Sequence, residues 1–318
     1  MNFSLNSVNT LYDSMQSIAI TLVLVLGLII LVISVLYSGQ VVMPLKEVAG
    51  SIAMISSGDF NETMQITGYS EAEDISDKFN SMLSVLQNLE DARQEFVSNV
   101  SHELKTPITS VKVLAESLIG QENVPVELYQ EFMVDINEEL ERMNKIINDL
   151  LTLVRMDKNA TELNISQVNI NNLVEQILKR VRPIAKTRSI EIIFESFRPV
   201  TADVDETKLS LAVTNLVENG VKYNNDGGWV RVSVNADHKY FYIKVSDSGV
   251  GIPKDAQTRI YERFYRVDKA RSRETGGTGL GLAITQNVAK LHHGGIKLNS
   301  TPGEGTTFLV RIPLKYIE

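Results

Sequence analysis

Ser101-His102-Glu103-Leu104-Lys105-Thr106-Pro107 lies inside a helical pattern, and its phase decides how the chain is built. Val97, Val100, Leu104, Pro107, Val111, Leu114 and Leu118 recur in steps of three and four, the spacing of a helix with a coiled-coil seam. With Val97 and Leu104 at heptad position a and Val100 at d, His102 falls at f, furthest from the seam. A histidine there adds nothing to a core, so its meaning lies in its neighbours. Glu103 can take or hold the Nδ1 proton, which leaves Nε2 with its lone pair outward as a nucleophile. Lys105 brings positive charge close by, and Thr106, one turn on, shares the face of His102. Pro107 removes a helix donor and crowds the carbonyl of Glu103, so a bend is expected beside the nucleophile. The other histidines read differently. His238 lies in the polar turn Asp237-His238-Lys239, and His292 and His293 precede Gly294-Gly295 at a helix end, where imidazoles cap carbonyls.

Beyond a turn at residues 120–125, a third seam runs through Met133, Ile136, Leu140, Met143, Ile147, Leu150 and Val154. A helical hairpin with one apolar face per helix is half a bundle, so a dimeric four-helix bundle is the expected way to bury it. Towards the N-terminus, Ile75, Phe79, Met82, Leu86 and Leu89 form another seam, out of phase with that of His102. Leu86 and Val97 are 11 residues apart, where unbroken heptads would give 7 or 14. Such a stutter changes coiled-coil winding; either it is a junction that converts helix rotation, or Arg93 sits where the helices splay. Earlier still, Pro44-Leu45-Lys46-Glu47 opens a helical pattern to about Ser57, followed by Gly58-Asp59-Phe60 and a looser stretch to about Ser70. Ile18 to Tyr37 is 20 residues without a charge, enough to span a bilayer core of ~30 Å, with Tyr12 and Tyr37 near its ends as interfacial aromatics. Residues 1–17 contain no Lys or Arg, unlike a signal peptide. Lys46 is the first basic residue, which places the N-terminus outside. With 17 residues before the span, either sensing occurs within or beside the membrane or the chain is a piece of a longer one.

From about Leu163 the pattern changes to short β-rich runs (190–194, 229–234, 240–246, 306–312) alternating with helical ones (171–186, 208–223, 280–291), an α/β sandwich. Three clusters punctuate it. Asn215, Asn219 and Lys222 share a helix face; amide oxygens suit Mg²⁺, and a lysine supplies a point charge for phosphate. Asp247-Ser248-Gly249-Val250-Gly251 follows a strand, where a carboxylate can accept from an adenine amino group and glycines permit close backbone approach. Gly276-Gly277-Thr278-Gly279-Leu280-Gly281-Leu282 opens a helix, whose free N–H groups suit phosphates. P-loop, H-R-D and D-F-G motifs do not occur. The formal net charge of -8 argues against direct nucleic-acid binding, and the absence of cysteine excludes disulfides and thiolate metal sites.

The run 101–107 closely resembles the phosphoacceptor motif of bacterial sensor histidine kinases. The three clusters, with Phe264-Tyr265-Arg266 between the last two and Gly303-Glu304-Gly305-Thr306 after them, resemble the GHKL (Bergerat) ATP-binding domain shared by histidine kinases, type II topoisomerases, Hsp90 and mismatch-repair ATPases. Pro44, Gly58-Asp59 and Glu73-Asp74-Ile75…Phe79-Asn80-Ser81-Met82 resemble the HAMP signalling linker. The resemblance implies a multidomain chain: extracytoplasmic segment 1–17, one transmembrane helix 18–37, HAMP coiled coil 38–91, dimeric phosphoacceptor bundle 92–160 and α/β-sandwich ATP-binding domain 161–318.

It implies a cell-membrane, single-pass homodimer in contact with lipid, with cytoplasmic catalytic domains. Mg²⁺-ATP would phosphorylate His102, and the phosphoryl group would pass to an aspartate on a response regulator. Glu103 would assist autophosphorylation and Thr106 would position water for dephosphorylation. ATP would be held by Asn215, Asn219, Lys222, Tyr223, Asp247, Gly249, Gly251, Phe264, Arg266, Gly277, Thr278, Gly279, Leu280 and Gly281, with Asn219 on the metal and residues 267–275 as a mobile lid. Hydrolytic relatives carry a glutamate four residues before the metal-binding asparagine; here that position is Asn215. Glu218 is turned about 100° from Asn219 and is discounted as a base for water. A phosphatase-dominated enzyme would use the same residues, and a scaffold would bind ATP without transfer.

Overall fold

The computed structural model describes residues 5–56, 70–120, 124–158, 163–268 and 277–316. Contacts divide the chain into two compact units, Met1–Val97 and Ser98–Glu318. The first begins with α1 (Leu5–Ser56). Within it Asn9–Ser38 is a 30-residue stretch long and apolar enough to cross a membrane, about 45 Å at ~1.5 Å per residue. Pro44, expected to open a helix, instead lies inside α1. A proline removes one ladder hydrogen bond, and the long helix continues through that loss. Gly58-Asp59-Phe60 and the connector to residue 69, on which much of the HAMP resemblance rests, lie outside the described residues. From Ser70 to Ile119 a single helix, α2, carries both N-terminal seams and contains Pro107.

The second unit continues with α3 (Val126–Lys158); residues 121–123 of the expected turn lie outside the described residues. The α3 seam is only part of the story. Met133, Leu140, Ile147 and Val154 remain exposed within one chain, whereas Ile146, Leu153 and Met156 are buried. The helix therefore carries a second apolar stripe, about 100° round from the first, that a single-seam reading passes over.

The α/β part comprises β1 (Ile165–Asn169), α4 (Ile170–Thr187), β2 (Glu191–Ser196), β3 (Thr201–Asp205), α5 (Glu206–Lys222), β4 (Trp229–Ala236), β5 (Tyr240–Asp247), α6 (Gly281–Leu291), β6 (Gly295–Thr301) and β7 (Gly305–Pro313). The main sheet has the order β2-β4-β5-β7-β6, with β2 parallel to β4 and the other pairs antiparallel. β1 and β3 form a separate antiparallel pair. Alternation does the folding: Val230, Val232 and Val234 of β4, Phe241, Ile243 and Val245 of β5, and Phe308, Val310 and Ile312 of β7 are buried on one face, as period-two side chains require. Against that face lie the stripes Leu173, Val174, Ile177, Leu178 and Val181 of α4 and Leu209, Val213, Leu216 and Val217 of α5. Asn169 and Asp205 cap α4 and α5, their side chains accepting from Asn172 N–H and Lys208 N–H at 3.0 and 2.9 Å, so both helix starts are fixed as their strands end.

Candidate functional site

Because the core stripe of α5 uses Leu209, Val213, Leu216 and Val217, Asn215, Asn219 and Lys222 fall on its flank, where they line a cleft of about 900 Å³. Tyr223, Asp247, Gly251, Arg266, Gly277, Thr278, Gly279 and Gly281 line the same cleft. Phe264, Leu280 and Gly249 do not border it. Phe264 and Leu280 are buried, and Phe264 N–H donates to the Gly279 carbonyl at 3.0 Å. Their contribution is to hold the backbone that does face the cleft: a side chain on Gly279, at φ 71°, would lie 2.9 Å from the Phe264 backbone.

At the inner end, Asp247 Oδ1 accepts from Gly249 N–H at 2.9 Å and Thr306 N–H at 3.2 Å, which aims the carboxylate. Burial pushes its pKa up to about 6, against the lowering effect of those two amides. At the other end, burial lowers the Lys222 pKa to about 8, helped by the charges of Lys145, Arg266 and Arg142. The Lys222 ammonium sits 5.0 Å from the Tyr223 ring centroid. Asn215 Nδ2 donates to the Gly281 carbonyl at 3.2 Å, tying α5 to the first turn of α6. Arg266 Nη2 donates to the Gly277 carbonyl and, at 2.9 Å, to Glu103 Oε2. The arginine side chain is 5% exposed, and its Nε–H has no hydrogen-bond partner among the described residues.

His102 is exposed on α2, on a shallow groove of about 490 Å³ with Lys105, Thr106, Thr109, Ser110, Val113 and Leu114. Thr106 Oγ1 bonds back to the His102 carbonyl at 3.2 Å. Glu103, read as the partner of the imidazole, is held by Arg266 in this arrangement, so α2 and the cleft are linked through the residue beside the histidine.

Several contributors carry no motif. Arg188 donates to the carbonyls of Val221, Lys222 and Asn224 at 2.9, 2.8 and 3.0 Å, gathering the orphan carbonyls at the α5 C-terminus. Lys145 and Asp149 of α3 reach the cleft wall: Lys145 pairs with Glu218 at 3.3 Å, and Asp149 accepts from Thr278 Oγ1 at 2.8 Å. Glu218 thus borders the cleft, engaged by a lysine. Nothing local in the sequence marks Arg188, Lys145 or Asp149, because each acts through a partner distant in the chain. His292 does satisfy a helix-end carbonyl, that of Val288 at 2.8 Å. It is also buried, and its Nε2 accepts from Asp205 N–H at 3.0 Å. Burial lowers its pKa, and these bonds fix the Nδ1–H tautomer where α6 ends and α5 starts. Residues 269–275 of the expected lid, and Gly276, lie outside the described residues.

A family model for the His Kinase A (phospho-acceptor) domain matches residues 92–159, and one for the histidine kinase-, DNA gyrase B- and HSP90-like ATPase matches residues 204–316. Sensor protein kinase WalK of Staphylococcus aureus is 36% identical over 279 residues, covering 86% of this chain and 65% of that protein. WalK of Staphylococcus epidermidis is 35% identical over 286 residues, covering 88% of this chain and 45% of that protein. The chain thus spans about half the length of the curated relatives it matches. Among solved structures, full-length ShkA in complex with AMPPNP is 27% identical, with a TM-score of 0.53 over 70% of this chain and 46% of that one. Histidine kinase ThkA in complex with response regulator protein TrrA is similar in fold, with a TM-score of 0.58 at 21% identity over 72% of this chain and 64% of that one.

Proposed function

The chain belongs to the bacterial sensor histidine kinases, and on that premise we propose that it transfers the γ-phosphoryl group of ATP to His102 and from there to an aspartate of a response regulator. The observation that carries this reading is the pairing of a cleft built from Asn219, Lys222, Asp247 and Thr278 with an exposed histidine whose neighbour Glu103 bonds to the cleft residue Arg266. Adenine would give its amino hydrogen to Asp247, and the phosphates would meet Lys222, Arg266 and the N–H groups that open α6. Nε2 of His102 attacks the γ-phosphorus; the new N–P bond forms as the bond to the β,γ-bridging oxygen breaks, and ADP leaves with that electron pair. Glu103, once released from Arg266, stabilises or takes the Nδ1 proton.

A single amide oxygen suits Mg²⁺, which keeps water and phosphate oxygens as most of its ligands. Asn219 lines the cleft and would supply that donor through its Oδ1. Mg²⁺ would neutralise charge on the phosphates.

We place the phosphoacceptor domain at 92–160, the ATP-binding domain at 161–318 and a HAMP linker at 38–91, with residues 18–37 in the cell membrane among its lipids and the catalytic domains in the cytoplasm. The exposed α3 seam supports a homodimer. The groove with His102, Thr106 and Val113 would receive the regulator's receiver domain, as a response regulator binds ThkA, and Thr106 would position water in dephosphorylating it. Incubation with Mg²⁺ and γ-labelled ATP tests the reading: acid-labile, base-stable label should map to the peptide carrying His102. Label that is acid-stable, or that maps elsewhere, contradicts it.

A further inference from the structure

Arg142, Lys145, Ile146, Asp149, Leu153 and Met156 line one side of α3 at i, i+3, i+4, i+7, i+11 and i+14, the spacing of a single helix face. Ile146, Leu153 and Met156 are buried, and α3 packs against α6. Two of the three polar members of this face reach the cleft: Lys145 and Asp149 line it, bonded to Glu218 and Thr278. Thr278 stands where phosphates are expected, between Gly277, which lies against the Lys222 ammonium, and the first turn of α6. Its hydroxyl proton goes to Asp149, while its oxygen accepts from Leu280 N–H at 3.3 Å. A carboxylate therefore stands at the end of the cleft where cations gather.

We propose that Asp149 is a further residue of the nucleotide site, supplied by the phosphoacceptor hairpin, which competes with the nucleotide's phosphate chain for Thr278 and opposes its negative charge. This rests on the reading that the cleft takes ATP. The loss of solvent around Asp149, which raises its pKa against the effects of Thr278 and Lys145, fits a carboxylate held in an unfavourable place by docking. Like charges in a partly buried site repel far more than in water, so the repulsion grows with the number of phosphates. Docking of α3 and binding of polyphosphate weaken one another by the same factor, as linkage requires. ATP would then enter most easily as the α3 face lets go of Thr278, and that release would couple nucleotide loading to movement of the hairpin bearing His102.

The test is the affinity of the full chain in detergent micelles for AMPPNP, ADP and AMP with Mg²⁺, compared with Asp149→Asn, which keeps an oxygen for the Thr278 hydroxyl and removes the charge. Calorimetry should show AMPPNP binding about 5–10-fold tighter to the variant, ADP by a smaller factor, and AMP within about two-fold. A uniform gain for all three nucleotides would mean a structural relaxation and overturn the proposal. Unchanged or weaker AMPPNP binding would overturn it too, the latter pointing to Asp149 as a ligand of metal or nucleotide. Absence of nucleotide binding by the unsubstituted chain would overturn the proposed function itself, and this inference with it.

Discussion

Strands β4, β5 and β7 hold Val230, Phe241 and Val310 at 0–2% exposure against helices of their own chain, whereas α3 leaves Met133, Leu140, Ile147 and Val154 at 41–46%. The α/β part buries its apolar faces within a single chain; the α3 seam stays exposed in one. This contrast assigns the two halves different dependencies. Nucleotide binding should be a property of one chain, while the helix that carries His102 should need a partner's helices to cover its seam, since an apolar stripe this long is a standing cost in water.

The strongest way to break the contrast is to charge the seam. Leu140→Glu with Ile147→Glu should convert the dimer to monomer in sedimentation velocity, at least 100-fold in dimer affinity at ~1.5–3 kcal/mol per side chain kept from burial, with AMPPNP affinity changed less than about three-fold. A monomeric unsubstituted chain, or a variant that loses AMPPNP binding with the dimer, would erase the distinction. Next in size is Asp247→Asn. Its amide oxygen keeps one acceptor for Gly249 N–H, but adenine loses a charged acceptor, for a loss of about 1–3 kcal/mol, or roughly 5–150-fold in AMPPNP affinity by calorimetry, with thermal stability retained. Both halves would be wrongly divided if dimerisation, rather than nucleotide affinity, fell.

The pH dependence of binding sharpens the same point. Burial raises the Asp247 pKa to about 6; if its ionised carboxylate is the stronger acceptor for adenine, affinity should weaken as pH falls through that value. Lys222 titrates at about 8 and must be protonated to attract phosphate, so affinity should also weaken as pH rises above it. Affinity for AMPPNP should therefore peak near pH 7, with few-fold losses on either limb; Asp247→Asn should flatten the acidic limb alone. A profile flat from pH 5.5 to 9 would mean that neither group touches the nucleotide. The smallest effect concerns Val113, 54% exposed on the groove beside His102. Val113→Lys should slow phosphotransfer to the regulator several-fold in rapid quench and leave autophosphorylation within a few-fold; equal transfer rates would move the docking face elsewhere.

What the sequence made legible follows the same division. The heptad phase put His102 outward and Pro107 inward, and Pro107 is indeed buried while His102 is exposed, because a period of 3.5 leaves little freedom in which residues face a seam. The long strands β4, β5 and β7 announced themselves by alternation. β1, β3 and β6 did not: Ile165–Asn169 and Thr201–Asp205 are five-residue strands dense in polar side chains, and β6 opens on a glycine after a helix end. The cleft-lining motif residues were found because glycine and amide clusters are rare at that spacing. Arg188, Lys145 and Asp149 were not, since each acts through a contact 33 or more residues away in sequence, and nothing local distinguishes them from solvated surface charges. Phe264 and Leu280, which lie inside the motifs, are buried, away from the cleft lining.

The central claim, that one half of the chain binds ATP and the other accepts its phosphoryl group, is tested most directly by His102→Ala measured twice, once for AMPPNP affinity and once for label from γ-labelled ATP. The account predicts affinity within about two-fold of the unsubstituted chain and no acid-labile label at all. Acid-labile, base-stable label persisting in this variant would contradict it.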